Sequence, residues 1–251
     1  MYKPFRSSVV PLSVCLLAVV GQAHAEADKD WVAWNVGVVN DFRFRGISQT
    51  RLGPALQGGV DVGDAHGWYA GVWASTIRWL QDAGATSGPV EVDAYLGHRW
   101  QVDNSSYDVG LVRYDYVGHQ VRRQGQYVDP STTEVYGAYN VANTAFKYSH
   151  ALTRWMGNPN SQNSGYIEVS QTFPLSQGWT LLPHVGHLHV RNTEPRASYT
   201  DYAVTVSRPL GQGLTFSGSL QSTNANRSVY QTADGRFTGG TGLVVGLKYV
   251  R

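Results

Sequence analysis

Charged and aromatic residues alternate in the stretch Asp41-Phe42-Arg43-Phe44-Arg45, which offers the sharpest chemistry in the sequence. Alternate residues of a β-strand point to the same side, so one face of such a strand carries Asp41, Arg43 and Arg45. Two guanidinium groups beside a carboxylate can filter charged solutes if they line a water-filled lumen. They can equally form salt bridges that brace or block the lumen, and the sequence leaves both interpretations open.

Single charged residues also occur on the polar faces of other alternating segments. If these faces all turn toward one interior, their charges form a mixed lining that selects solutes by charge. The predicted lining residues are Asp41, Arg43, Arg45, Glu91, Asp93, Glu134, Lys147, Glu168, Asp201 and Lys248. Selection of this kind needs no bound group, so the sequence predicts no cofactor and no metal.

Hydrolysis is an alternative chemistry with weaker support. The adjacent Ser149 and His150, and the nearby Asp64 and His66, supply groups that could act as nucleophile, acid or base. The Gly-x-Ser-x-Gly motif that presents a nucleophilic serine does not occur in the chain. We therefore expect no enzymatic activity.

The elements that must position these side chains are β-strands. Period-2 alternation recurs in segments of about ten residues. In the clearest segment Val32, Trp34 and Val36 share one face, and Ala33 and Asn35 lie on the other. We predict twelve strands, at residues 32–44, 55–63, 67–77, 89–100, 106–117, 131–140, 143–150, 164–174, 179–190, 199–210, 213–222 and 240–250.

The connections between these strands alternate in length. Residues 64–67 and 102–105 form tight turns, whereas 47–54, 118–130 and 223–239 are longer polar stretches. Short turns at one end and long loops at the other are typical of an outer-membrane barrel, which has an even number of antiparallel strands. A tilted strand crosses the bilayer in about 9–11 residues. The sequence therefore predicts an all-β fold, a closed up-and-down transmembrane β-barrel of about twelve strands.

Aromatic rings near predicted strand ends agree with such a barrel, because amphipathic rings prefer the boundary between membrane and water. Within the strand at 106–117, Arg113 and Asp115 alternate with Tyr114 and Tyr116, and we place these two tyrosines on the outside. The rings near strand ends belong to Trp31, Trp34, Phe44, Trp68, Trp79, Trp100, Tyr107, Tyr116 and Trp179.

The first 25 residues resemble a secretory signal peptide. Lys3 and Arg6 precede an apolar run at residues 9–20, and Ala23-His24-Ala25 follows as a cleavage signal. We therefore expect cleavage after residue 25 and a barrel domain over residues 26–251. Cleavage lowers the count of Lys and Arg from 20 to 18, equal to the 18 Asp and Glu. The resulting neutral chain gives no reason to expect a nucleic-acid partner.

Several stretches resemble the TorF family of outer-membrane porins. They are NDFRFRGISQT at 40–50, GWYAGVWAS at 67–75, EVDAYLG at 91–97 and YDVG at 107–110. The likeness is strong over residues 31–117 and looser beyond. It implies an outer-membrane β-barrel of a Gram-negative bacterium, and it supplies no catalytic residues to carry over.

Pattern and resemblance together predict a porin in the outer membrane that lets small hydrophilic solutes diffuse through a charge-lined lumen. Its expected partners are these solutes, the surrounding lipid and lipopolysaccharide, and the barrel-assembly machinery. A closed barrel with a structural or loop-mediated binding role is the first alternative. An outer-membrane hydrolase is the second.

Overall fold

The structure is a computed structural model that describes residues 30–85, 88–118, 120–123, 125–193 and 196–251. The predicted signal peptide, residues 1–25, lies outside these described residues. In the ranges that are described, no helix has the length and apolar character needed to cross a membrane.

Strands make up most of the described chain. In chain order they are β1 (Trp31–Val39), β2 (Arg43–Phe44), β3 (Ile47–Ser48), β4 (Ala55–Gly63), β5 (Trp68–Thr76), β6 (Val90–Val102), β7 (Ser105–Tyr116), β8 (Val121–Arg123), β9 (Gln126–Val128), β10 (Thr132–Val141), β11 (Thr144–Ala151), β12 (Gly165–Gln171), β13 (Phe173–Pro174), β14 (Thr180–His189), β15 (Tyr199–Gly211), β16 (Leu214–Thr223) and β17 (Gly242–Val250). Helical turns occur at α1 (Trp79–Asp82) and, as 3₁₀ turns, at Trp155–Gly157 and Ser176–Gly178.

Twelve of these strands form one closed antiparallel barrel, which confirms the predicted architecture. The wall strands pair in the order β1, β4, β5, β6, β7, β10, β11, β12, β14, β15, β16 and β17. The ring closes between the first and the last of them, where Gly37 lies opposite Lys248. Closure pairs the backbone of every wall strand on both sides, which is the condition for a sheet to cross hydrocarbon. The short β2–β3 and β8–β9 hairpins lie apart from the wall.

The two faces of the wall differ as the alternation predicts. Trp34, Val36 and Val38 are 42–50% exposed on the outside of β1, whereas Ala33 is buried on the inside. On the outside, a run of stacked or tilted rings joins neighbouring strands near their short-turn ends. It contains Trp68, His98, Trp100, Tyr107, Tyr139 and Phe146.

The predicted outward placement of Tyr114 and Tyr116 is wrong. Both rings point into the barrel, with 6% and 5% of their surface exposed. Arg113 instead lies outside, where its guanidinium donates to the Asp115 carboxylate at 3.0 Å. These residues belong to the long-loop end of β7, where the outer wall also contacts Asp129 of the following loop. We explain the reversal by this position, since an outward charge costs much less near the interface than at the bilayer midplane.

The first predicted strand is too long at its C-terminal end, because β1 stops at Val39 and the chain then turns into the lumen. Phe44 pairs with Ile47, and the two residues between them, Arg45 and Gly46, have φ of 48° and 79°. Two positive φ values at the centre of a two-residue hairpin are the pattern of a type I′ turn. Asp41, Arg43 and Phe44 therefore lie in a loop inside the barrel.

Candidate functional site

The segment of residues 40–54 that joins β1 to β4, here called the inner loop, crosses the barrel. Phe42 packs edge-on against Trp73 of β5, and Phe44 against Tyr114 of β7. At its tip, a Cβ added to Gly46 would lie 2.6 Å from the Thr223 methyl group at the end of β16. The loop thus contacts walls on both sides of the ring.

Arg45 attaches this loop to the far wall. Its guanidinium donates to both carboxylate oxygens of Glu134, at 3.2 and 2.8 Å, and the Tyr114 hydroxyl donates to the same carboxylate at 3.1 Å. The guanidinium also lies 4.1 Å from the ring centre of Tyr166 and 4.7 Å from that of Trp155. Arg45 is 4% exposed and Glu134 1%. Burial alone would lower the pKa of Arg45, but the carboxylate and the neighbouring hydroxyls raise it above its ordinary value.

A second ion pair lies within the inner loop itself. Arg43 donates to Asp41 at 2.7 Å, and the Ser48 hydroxyl donates to the same carboxylate at 2.6 Å. Arg43 also donates to the Gly240 carbonyl at 2.6 Å, beside the start of β17. The three charges of the Asp41–Arg45 stretch are therefore all engaged within the protein.

Two further predicted residues meet around a histidine on the inner wall. His184 lies 3.0 Å from Asp201 through Nε2 and 3.6 Å from Glu168 through Nδ1. The Tyr166 hydroxyl donates to Asp201 at 2.9 Å. Among the described residues no three His, Cys, Asp or Glu side chains are arranged to hold a metal ion. This cluster lies next to Arg45, since the Tyr166 ring contacts the Arg45 guanidinium and the Tyr166 hydroxyl bonds Asp201.

The other predicted lining residues do not join these clusters. Glu91 and Asp93 are almost fully buried on β6, and each keeps one oxygen without a hydrogen-bond partner among the described residues. Lys147 places its ammonium 4.5 Å from the ring centre of Tyr136. Lys248 lies on β17 and borders a cavity.

The pairs considered for hydrolysis are not assembled for it. Ser149 is buried on the inner side of β11, whereas His150 is bonded at 3.2 Å to the Tyr148 hydroxyl and to Asn163. Successive residues of a strand face opposite sides of the sheet, so this serine and histidine do not act together. Asp64 instead accepts the backbone N–H of His66 at 2.9 Å, in a turn.

One half of the lumen is filled by tyrosines, a feature that the sequence analysis missed. Three of these rings lie over a glycine directly opposite on the neighbouring strand, which shields the exposed backbone there. The pairs are Tyr95 over Gly71, Tyr69 over Gly97 and Tyr136 over Gly110. The Tyr69 hydroxyl donates to Asp108 at 2.6 Å and bonds Tyr136. The sequence signal for these ring–glycine pairs is the high content of both residue types, with 28 Gly and 15 Tyr.

The other half of the lumen contains a cavity. A cavity of about 260 Å³ lies between the inner loop and the wall formed by β15, β16, β17 and β1. Gly37, Ala203 and Gly246 line the cavity, and their small size leaves room for it. Neutral polar side chains surround it, from Asn35, Gln57, Thr205, Ser217, Ser219 and Gln221. Charged groups reach it from the inner loop (Asp41, Arg43 and Arg45) and from the wall (His184, Asp201 and Lys248).

Comparison with known proteins agrees with this architecture. Residues 23–249 match the model of a family described as bacterial protein of unknown function (Gcw_chp). The sequence matches no curated protein.

Solved outer-membrane barrels share the fold at low sequence identity. The KdgM porin in complex with disordered oligogalacturonate has a TM-score of 0.54 and 6% identity, covering 87% of this chain and 97% of that one. The NanC porin has a TM-score of 0.54 and 11% identity, covering 88% and 98%. The COG4313 outer membrane channel from Pseudomonas putida F1 has a TM-score of 0.52 and 12% identity, covering 88% and 94%.

Proposed function

Because this chain belongs to the Gcw_chp family of bacterial proteins and has the barrel fold of outer-membrane porins, we propose that it is itself an outer-membrane porin. It passes small hydrophilic solutes by passive diffusion through the half of its lumen that holds the cavity. The inner loop forms the narrowest part of that path. The observation that carries this proposal is the polar cavity of about 260 Å³ between the inner loop and the small-residue wall.

The outer surface supports placement in the outer membrane. Large apolar side chains are exposed along the wall, and a run of aromatic rings lies near the short-turn ends, where rings favour the membrane boundary. Lipid and lipopolysaccharide would contact this surface, and the barrel-assembly machinery would insert it after the predicted signal peptide is removed. We also propose that the chain is a member of the TorF family of porins, which several of its stretches resemble.

One porin with the same fold supports the proposal that the solute is hydrophilic. The KdgM porin is described with bound oligogalacturonate, a saccharide. The side chains around the cavity present amide and hydroxyl groups, which can replace the hydrogen bonds that such a solute makes to water.

A flux assay tests the proposal. In liposomes that contain the refolded protein, we expect swelling with glycerol, slower swelling with glucose and none with the trisaccharide raffinose. The reason is that a cavity of about 260 Å³ beside the inner loop limits the size of the solute. Empty liposomes and liposomes with heat-denatured protein serve as controls. Full insertion without flux of any of the three solutes would contradict the proposal.

That negative outcome would favour a closed barrel with a structural or binding role. One observation supports this second candidate. Leu80, Val121 and Trp155 are buried at the long-loop end together with Phe42 and Phe44 of the inner loop. A packed apolar cluster of this kind can plug a barrel permanently.

A further inference from the structure

We infer that the cavity beside the inner loop binds small hydroxylated anions, such as sugar acids, with Lys248 as the residue that recognises their carboxylate. The inference rests on the proposed porin function, since it names the solute class that the lumen favours. It follows from a count of the charges that border the cavity.

Most of those charges are already neutralised inside the protein. Arg43 is paired with Asp41, and Arg45 with Glu134. Asp201 accepts a hydrogen bond from the Tyr166 hydroxyl and lies 3.0 Å from Nε2 of His184. These groups therefore have little remaining capacity to hold a charged guest.

Lys248 differs from them. It forms no ion pair with any residue in the described part of the chain, yet its side chain borders the cavity. It stands opposite Gly37 on β1 and Thr215 on β16, and neither neighbour carries a charge. The Asp61 carboxylate attracts this ammonium from beyond ion-pair distance, but it already accepts the Tyr95 hydroxyl. An ammonium in a partly buried cavity with no carboxylate in contact still attracts an anion, because the local dielectric constant is low.

The surrounding groups suit a guest that also has hydroxyl groups. Thr205 donates to Ser219 at 2.8 Å, and Gln221 donates to the same hydroxyl oxygen at 3.2 Å. These neutral side chains can both donate and accept hydrogen bonds. The cavity of about 260 Å³ is close to the lower limit of small-molecule sites, ~300 Å³. One ammonium within a set of hydroxyl and amide groups therefore matches a small polyhydroxy carboxylate.

Two probes of the same carbon skeleton separate the ionic contribution from the rest. Gluconate carries a carboxylate and sorbitol does not, while their hydroxyl groups are closely similar. We would measure the binding of each by ligand-observed NMR to the full barrel in detergent micelles. We expect gluconate to bind at least about tenfold more tightly than sorbitol, since a charge-assisted hydrogen bond contributes that much.

Two variants locate the binding. Lys248→Gln should weaken gluconate binding about tenfold and leave sorbitol binding unchanged. Lys147→Gln removes an equal charge from the inner wall, at a position outside the cavity, and should leave both unchanged. Equal binding of the two probes, or equal loss in the two variants, would overturn the inference. Liposome flux with unchanged probe binding in Lys248→Gln would leave the porin proposal standing and refute only the anion site.

Discussion

Replacing Arg45 by alanine should lower the free energy of unfolding of the barrel by about 3–5 kcal/mol, because a buried carboxylate then loses its counter-ion. Glu134 is 1% exposed, and after the substitution the Tyr114 hydroxyl would be the one group among the described residues still bonded to it. The stacking of the guanidinium on Tyr166 and Trp155 would be lost as well. Urea titrations of the refolded protein in micelles, followed by far-ultraviolet circular dichroism, measure this change.

Arg51→Ala is the matched control. Arg51 also forms an ion pair with a carboxylate: its Nε donates to both oxygens of Asp82, at 2.9 and 2.8 Å, and its Nη2 donates to one of them. Its side chain, however, is 29% exposed. An ion pair open to water contributes about 1 kcal/mol or less, so this variant should remain near the wild type. If the two substitutions had equally small effects, the Arg45–Glu134 pair would not anchor the inner loop.

The glycines beneath the lumen tyrosines should also be sensitive to substitution. A side chain added at Gly110 would place its Cβ 2.6 Å from the Leu96 carbonyl oxygen and 2.6 Å from the Tyr136 hydroxyl. The backbone cannot move away, so Gly110→Val must displace the ring and distort the wall. We expect a loss of about 2–4 kcal/mol from overpacking and from the broken Tyr136–Tyr69 hydrogen bond, measured by the same urea titration.

Gly137→Val tests whether this loss is due to the tyrosine contact rather than to glycine itself. Gly137 lies on β10 beside Tyr136 but faces outward, and nothing lies within 4 Å of a Cβ added there. Valine favours extended backbone, so this variant should be as stable as the wild type or more stable. Equal destabilisation by Gly110→Val and Gly137→Val would show that the loss does not come from the contact between Gly110 and the Tyr136 ring.

The wall of the barrel could be predicted from the sequence because each strand has its own local signal. Alternation identified all twelve strands, and it placed Trp34, Val36 and Val38 on the lipid side. One face of every strand must be apolar, and this requirement holds regardless of what the lumen contains.

The contents of the lumen could not be predicted in the same way. Asp41, Arg43 and Phe44 continue the alternation of β1, although the chain leaves the wall after Val39. The positive φ values at Arg45 and Gly46, which form the hairpin inside the barrel, are visible only in the structure. The partner of Arg45 is 89 residues away in the sequence, so no local pattern contains it. Long-range contacts of this kind depend on the closed ring, which is formed by the whole chain.

The central claim is that the inner loop limits passage through the lumen. Val39 and Ala55, which flank this loop, lie opposite each other in the register of β1 and β4, so a two-residue Asn-Gly turn can join them. Replacing residues 40–54 by this turn removes the obstruction and keeps the wall strands. In planar bilayers we expect the shortened protein to conduct several times more current per channel than the wild type. An unchanged single-channel conductance, in a shortened protein that circular dichroism shows to be folded, would contradict the account.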